Sequence, residues 1–187
     1  MDLNVLPECY IDTKLTTILV PPNGHYNHQK GTHVLKCMKE KLMNQFALGI
    51  VDEDFEDRSY TQEFTLVYDV PGCLRLLRHP NRYHFLILRC PGMEAWLINS
   101  AREATLSLRA FGLPEEMNAL KKITKTSKSG SDDPYSENFR RLFKALKQAD
   151  PPSIKVLTLW ISHLKDNPYS ADINWLVEET NRIIGQP

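Results

Sequence analysis

The chain has 187 residues, with 23 lysines and arginines against 23 aspartates and glutamates, so its formal net charge is zero. A hydrophobic content of 42% and a charged content of 25% exclude disorder over most of the length. They suit one domain, or one domain with a helical appendage. The apolar stretches at residues 15–20 and 85–88 are far too short to cross a membrane, and zero net charge argues against a protein that coats nucleic acid by bulk electrostatics.

In chain order, residues 3–6 are a short apolar stretch closed by Pro7, which suits a strand end because proline donates no ladder hydrogen bond. Ile11, Leu15, Ile18 and Leu19 then recur at helical spacing and predict a helix over about residues 9–19, stopped by Pro21 and Pro22. A loop rich in Gly, Asn and His follows, holding His25, His28 and Lys30. Val34, Leu35, Met38 and Leu42 predict a second amphipathic helix. Residues 46–51 are continuously apolar, as in a strand buried on both faces, and end in the acidic run 52–57. Residues 64–70 and 83–88 read as strands, and 74–77 fits either state. Pro91 sits where a helix begins, and Met93, Trp96, Leu97 and Ala101 continue at helical spacing. This alternation predicts an α/β layer around a parallel sheet over residues 1–100.

Beyond Ala101 only helical periods remain, at about residues 114–124, 135–148, 152–164 and 171–184, with a polar loop at 125–133. Residues 101–187 are therefore expected to form a helical extension packed on the first part. The four cysteines, Cys9, Cys37, Cys73 and Cys90, form no C-x-x-C pair and read as buried thiols of an intracellular chain. The amino terminus lacks the basic-then-apolar layout of a signal peptide, so the expected location is cytoplasmic.

Three groups of acids fall just beyond predicted strands. Asp52 and Asp54 stand two apart at the end of an apolar run, where an extended backbone aims both to one side. Glu8 and Asp12 stand four apart and share one face of the first helical turn. Glu94 lies in the first turn of the helix after the strand at 83–88. Carboxylates aimed together repel unless a cation compensates them, and hard divalent ions favour an oxygen-only shell. Neither a P-loop nor a G-x-G-x-x-G motif is present, and there is no G-x-S-x-G elbow from which to build a serine triad.

The order of these motifs resembles the Toprim fold, shared by topoisomerases, primases and nucleases of the overcoming-lysogenization-defect type. Glu8-Cys9-Tyr10-Ile11-Asp12 is similar to the Glu and Asp that open the first helix of those nucleases, and the run from Ala47 to Asp54 is similar to their apolar strand and D-x-D. Pro91-Gly92-Met93-Glu94-Ala95-Trp96 resembles a Pro-x-x-Glu-x-Trp segment of small Toprim-like proteins associated with bacterial defence. The likeness spans about residues 3–100, with Cys9 where such proteins usually carry glycine. It implies a Toprim-like Rossmannoid sheet, and Mg²⁺ or Mn²⁺ ligated by Glu8, Asp12, Asp52 and Asp54, with Glu94 completing or orienting the site. It further implies that Lys30 neutralises charge on a phosphate and that His28 acts as acid or base. Any ATPase partner would be a separate chain.

The charges are unevenly spread. Residues 1–100 carry ten basic and twelve acidic side chains. Residues 121–147 carry Lys121, Lys122, Lys125, Lys128, Arg140, Arg141, Lys144 and Lys147 against three acids, a local excess of +5. An acidic metal site beside a basic helical arm fits a metal-dependent nuclease acting on DNA or RNA. The competing expectation is a non-catalytic Toprim-like interaction protein that binds a partner through Tyr135, Trp160, Tyr169 or Trp175. A third is phosphoryl transfer on a small nucleotide.

Overall fold

The computed structural model describes residues 2–30, 33–53, 59–126 and 133–185. It is an α/β structure with a five-stranded mixed sheet, flanking helices and a helical carboxyl-terminal part. Strands β1 (Val5–Pro7), β2 (Ala47–Asp52), β3 (Thr65–Val70), β4 (Leu74–Arg78) and β5 (His84–Arg89) lie in the order β1-β2-β5-β4-β3. β1, β2 and β5 run parallel, in the register Pro7↔Ile50 and Asp52↔Arg89.

The expected parallel core is present in β1, β2 and β5, but β3 and β4 make the sheet mixed. Both pair antiparallel, β3 with β4 and β4 with β5. Their connections are too short for a parallel crossover, which needs a dozen or more residues. Between β3 and β4 the chain reverses through Pro71 and Gly72, where Gly72 has φ +66° and the Cys73 amide donates to the Val70 carbonyl at 3.0 Å. Gly72 meets that positive φ without the clash a side chain would suffer.

Helix α1 (Tyr10–Leu19) matches its predicted span. The second predicted helix divides, with one α turn, α2 (His33–Lys36), running into a π-helical turn at Cys37–Lys41. It packs tightly on the sheet, since a Cβ at Gly49 would lie 2.6 Å from Leu86 Cδ2 and 3.0 Å from Met38 Sδ. Glycine in β2 therefore serves close approach. The remaining helices are α3 (Met93–Glu103), α4 (Met117–Thr126), α5 (Ser136–Ala149), α6 (Pro152–Asp166) and α7 (Ile173–Ile184).

The strand alternation sorts the core into two clusters. Leu48, Ile50, Phe85 and Ile87 face one way, with Ile11, Leu15, Trp96 and Leu97, and that cluster continues through Leu120, Phe139, Phe143 and Trp160. The carboxyl-terminal helices are thus packed on the same core as the sheet. Ala47, Val51, Leu86 and Leu88 face the other way, under Val34, Leu35, Met38 and Tyr60. Each large side chain so buried contributes roughly 1.5–3 kcal/mol. Among the described residues, no helix is long and apolar enough to cross a membrane.

Candidate functional site

The carboxyl ends of β1, β2 and β5 meet at one cavity of about 250 Å³, lined by Glu8, Cys9, Asp12, Asp52, Met93, Glu94, Lys121, Thr124 and Lys125. Parallel register brings the first two ends together. The Glu8 amide donates to the Ile50 carbonyl at 3.0 Å, and the Asp52 amide donates to Glu8 Oε2 at 2.9 Å. Two acids that lie 44 residues apart in sequence are thereby neighbours.

Asp12 reaches the site through the way α1 begins. Cys9 is the helix cap, its Sγ accepting from the Asp12 amide at 3.4 Å while Asp12 Oδ2 accepts from the Cys9 amide at 3.2 Å. This is the reciprocal arrangement of a capping box, with a thiol in place of the usual hydroxyl. Burial, reinforced by the adjacent Asp12 charge, holds the Cys9 thiol well above its ordinary pKa, so it remains protonated.

Arg89, at the end of β5, lies between the two aspartates. Its side chain is 0% exposed; Nη1 donates to Asp12 Oδ1, Nε donates to Asp52 Oδ1 at 2.9 Å, and Nη2 lies 2.8 Å from the same Asp52 oxygen. Burial opposes the guanidinium charge, yet the Asp12 and Asp52 carboxylates raise its pKa well above the usual value. Asp12 is itself 1% exposed, and burial raises its carboxyl while Arg89 opposes the shift. In the sequence, a single arginine after an apolar strand, such as Arg89, looks like the strand's exit. The available signal was its phase. Arg89 is two residues beyond Ile87 and four beyond Phe85, so alternation turns it toward the same buried face.

Three carboxylates, those of Glu8, Asp12 and Asp52, share this one guanidinium, and the electrostatic excess falls on Glu8. Burial pushes the Glu8 carboxyl up to about 7; the hydrogen bond from the Asp52 amide opposes that shift, and the Asp52 and Asp12 charges add to it.

Across the cavity, Glu94 in the first turn of α3 accepts a hydrogen bond from the Thr124 hydroxyl of α4. Lys121 and Lys125, one helical turn apart on α4, are exposed on the same wall. The remaining expected residues fall elsewhere. Lys30 is exposed and is not among the cavity-lining residues; its carbonyl accepts from the His33 amide at 3.0 Å. His28 stacks on Tyr10 at 4.1 Å and meets Thr13 Oγ1 at 3.2 Å, away from the cavity wall. Asp54 and Lys128 lie outside the described residues.

The expected basic arm does not act as one surface. Arg140 is held by Glu137 through two 2.6 Å hydrogen bonds, Arg141 lies 5.9 Å over the Phe111 ring, and Lys147 donates to the Ile18 carbonyl at 2.7 Å. α5 lies along α1 with Ser136 beside Lys14 and Lys147 at Ile18, which carries Lys144 and Lys147 toward the end of α1 opposite the cavity. Lys122 and Lys144 are exposed outside the cavity wall, so among the described residues Lys121 and Lys125 are the basic pair at the site.

The donor atoms are of the type that a hard divalent cation takes. All the charged acceptors are oxygens, and the three carboxylates of Glu8, Asp12 and Asp52 outnumber the one guanidinium of Arg89 by two. Among the described residues, no group of three or more His, Cys, Asp or Glu side chains is placed to hold a metal ion. Magnesium, however, is often held by one or two carboxylates together with water and substrate phosphate. Comparison with family models, with curated protein sequences and with solved structures yields no match, so the functional reading rests on this geometry.

Proposed function

We propose that this cavity is a metal-dependent phosphodiesterase site of the Toprim-like nuclease type, acting on DNA or RNA. The observation that carries this reading is the meeting of Glu8, Asp52 and Glu94 with Lys121 and Lys125 around one cavity at the ends of parallel strands. Ligands of open α/β sheets bind at that end. Glu8 and Asp52 would hold Mg²⁺ or Mn²⁺, with Asp54 as the further ligand implied by the D-x-D. A bound ion of this kind activates water and stabilises charge on a phosphoryl oxygen.

The residues of the chain divide the remaining work. Lys121 and Lys125 bind non-bridging phosphate oxygens from the α4 side. Thr124 fixes the Glu94 carboxylate through its hydroxyl, and so orients the wall opposite Glu8. Arg89 keeps Asp52 in one orientation through Nε. The test is cleavage of labelled single- and double-stranded DNA and RNA with and without Mg²⁺. Asp52→Asn and Glu8→Gln are expected to abolish metal-dependent cleavage while the circular dichroism spectrum is kept. Full activity in both variants would end this reading.

One observation favours the non-catalytic alternative, namely that Arg89 already compensates Asp12 and Asp52 without any ion. In that reading the exposed Tyr169 and Trp175 offer the partner surface, whereas Trp160 is fully buried with its indole N–H on Thr180 Oγ1 at 2.8 Å. Calorimetry separates the two. Absence of Mn²⁺ binding at millimolar metal would select the interaction protein.

A further inference from the structure

Glu8, Asp12 and Asp52 differ in what their oxygens have left to offer. Asp12 is buried with both oxygens engaged, Oδ1 on Arg89 Nη1 and Oδ2 on the Cys9 amide at 3.2 Å, which closes the cap of α1. Asp52 commits one oxygen, Oδ1, which accepts from Arg89 Nε at 2.9 Å and lies in ion-pair contact with Nη2 at 2.8 Å, a buried nitrogen with no hydrogen-bond partner of its own. Its side chain keeps 24% exposure at the cavity, where Asp12 keeps 1%. Glu8 commits Oε2 to the Asp52 amide. Among the described residues, the oxygens left without a hydrogen bond are thus Asp52 Oδ2 and Glu8 Oε1, while the space between the two aspartates is filled by a guanidinium.

Sites that cleave phosphodiesters with carboxylates alone place two cations about 3.5–4 Å apart, and a carboxylate bridging or flanking them holds both in register. Here a fixed organic cation already joins Asp12 to Asp52. A divalent ion entering that space would face the like charge of Arg89 at contact distance and would strip a fully buried guanidinium of its partners. Both changes are unfavourable.

We infer that Arg89 is the built-in second cation of the site, so that the chain takes a single divalent ion, at Glu8 and the free oxygen of Asp52. Asp12 is then a positioning residue that holds Arg89 and caps α1, and not a metal ligand. This rests on the metal-site reading proposed above. It departs from the expectation that all four carboxylates of the Glu8, Asp12, Asp52 and Asp54 set are ligands. It also gives the α4 lysines a defined task. With one mobile cation instead of two, Lys121 and Lys125 supply the positive charge that the second ion would bring to the phosphate.

The experiment is a Mn²⁺ titration of the full chain, followed by calorimetry and by electron paramagnetic resonance. One Mn²⁺ per chain is expected, with the six-line spectrum of an isolated ion. Asp12→Asn is expected to keep that stoichiometry and spectrum, with affinity lowered by about 10- to 100-fold as for loss of an outer partner. Asp52→Asn and Glu8→Gln are expected to lose the site. Two Mn²⁺ per chain with an exchange-coupled spectrum would overturn the assignment of Arg89 and leave the metal site standing. So would Asp12→Asn abolishing binding in a folded protein. No binding by the wild type would overturn the metal site and this inference with it. The wild-type stoichiometry decides between these outcomes even where Asp12→Asn does not fold.

Discussion

At the start of β5, His84 is buried and neutral; at its end, Arg89 is buried and charged. The His84 end is closed. Its Nε2 donates to the Leu42 carbonyl at 2.9 Å, so Nδ1 accepts from the Tyr60 hydroxyl at 2.7 Å, and Arg82 Nη1 donates to that hydroxyl at 3.2 Å. His79 completes the group against the Tyr60 and Phe64 rings, with its Nε2 on Glu63 at 3.2 Å. The core of this network is made of neutral groups that answer one another. At the Arg89 end three carboxylates answer one guanidinium, and a cavity opens beside them. Both ends bury polar groups in the same strand, but only the second leaves charge uncompensated and accessible. Burial with full satisfaction builds structure, and burial with a charge excess at an opening makes a site.

The sharpest way to break the contrast is Arg89→Met, which strands Asp12 as a buried, unpaired carboxylate. A loss of about 3–5 kcal/mol in urea unfolding is expected. A loss under about 1 kcal/mol would show that the guanidinium is not what compensates the acids.

The two ends also differ in the sign of their pH response. Glu8 titrates at about 7 in the folded protein against 4.5 as a free side chain, so between these values the folded state holds a proton that the unfolded state has released. Its contribution to stability is present below pH 4.5 and is lost as pH rises to 7, at about 1.4 kcal/mol per unit. Glu8→Gln, measured in the absence of metal, is therefore expected to be more stable than wild type by about 3 kcal/mol at pH 8 and equal to it near pH 4. His84 responds the other way. Burial lowers its pKa from 6.5, so its contribution is present above that value and is lost as pH falls. An equal melting temperature for Glu8→Gln and wild type at pH 8 would remove the charge excess from the account.

A smaller effect marks the closed end. Tyr60→Phe deletes the hydroxyl between His84 and Arg82, and a loss of about 1–2 kcal/mol is expected in thermal unfolding. Mn²⁺ binding should not change, and a shift in it would show that the two ends are coupled. The smallest effect belongs to the open end. Lys121→Ala and Lys125→Ala should each weaken nucleic-acid binding by about 1 kcal/mol or less at low salt, and lower the slope of log affinity on log salt by about 1. Lys147→Ala should leave the slope alone, because that ammonium is spent on the Ile18 carbonyl.

Several features were legible because they depend on residues close in sequence. The periodicity of Ile11, Leu15 and Leu19 marks α1 to within a residue at its start, and Pro21 marks its end. The apolar runs mark β2 and β5, and acids at the ends of strands foretold that Glu8, Asp52 and Glu94 would converge on one place. Other features depend on partners distant in the chain. The antiparallel course of β4 follows from short hairpin connections, and an apolar stretch as brief as residues 74–77 has no period long enough to declare its direction. Cys9 has no capping signature, since thiols rarely take the place of a serine hydroxyl. The basic residues of α5 form an obvious run of charge, but whether each faces solvent, a neighbouring acid or a carbonyl depends on how α5 lies against α1.

By itself the sequence determined an α/β portion followed by helices, and a set of carboxylates bound for the same ends of the strands. Hydrophobic period and strand-end chemistry are local and survive in one dimension. Only the tertiary structure decided which of those carboxylates are free. Arg89 meets Asp12 across 77 residues and Asp52 across 37, and that pairing separates acids that are spent on the fold from acids that remain available to a ligand. A charge can be counted in a sequence, but its compensation is a matter of distance, and distance is set by the register of β2 against β5 and the docking of α1 over both.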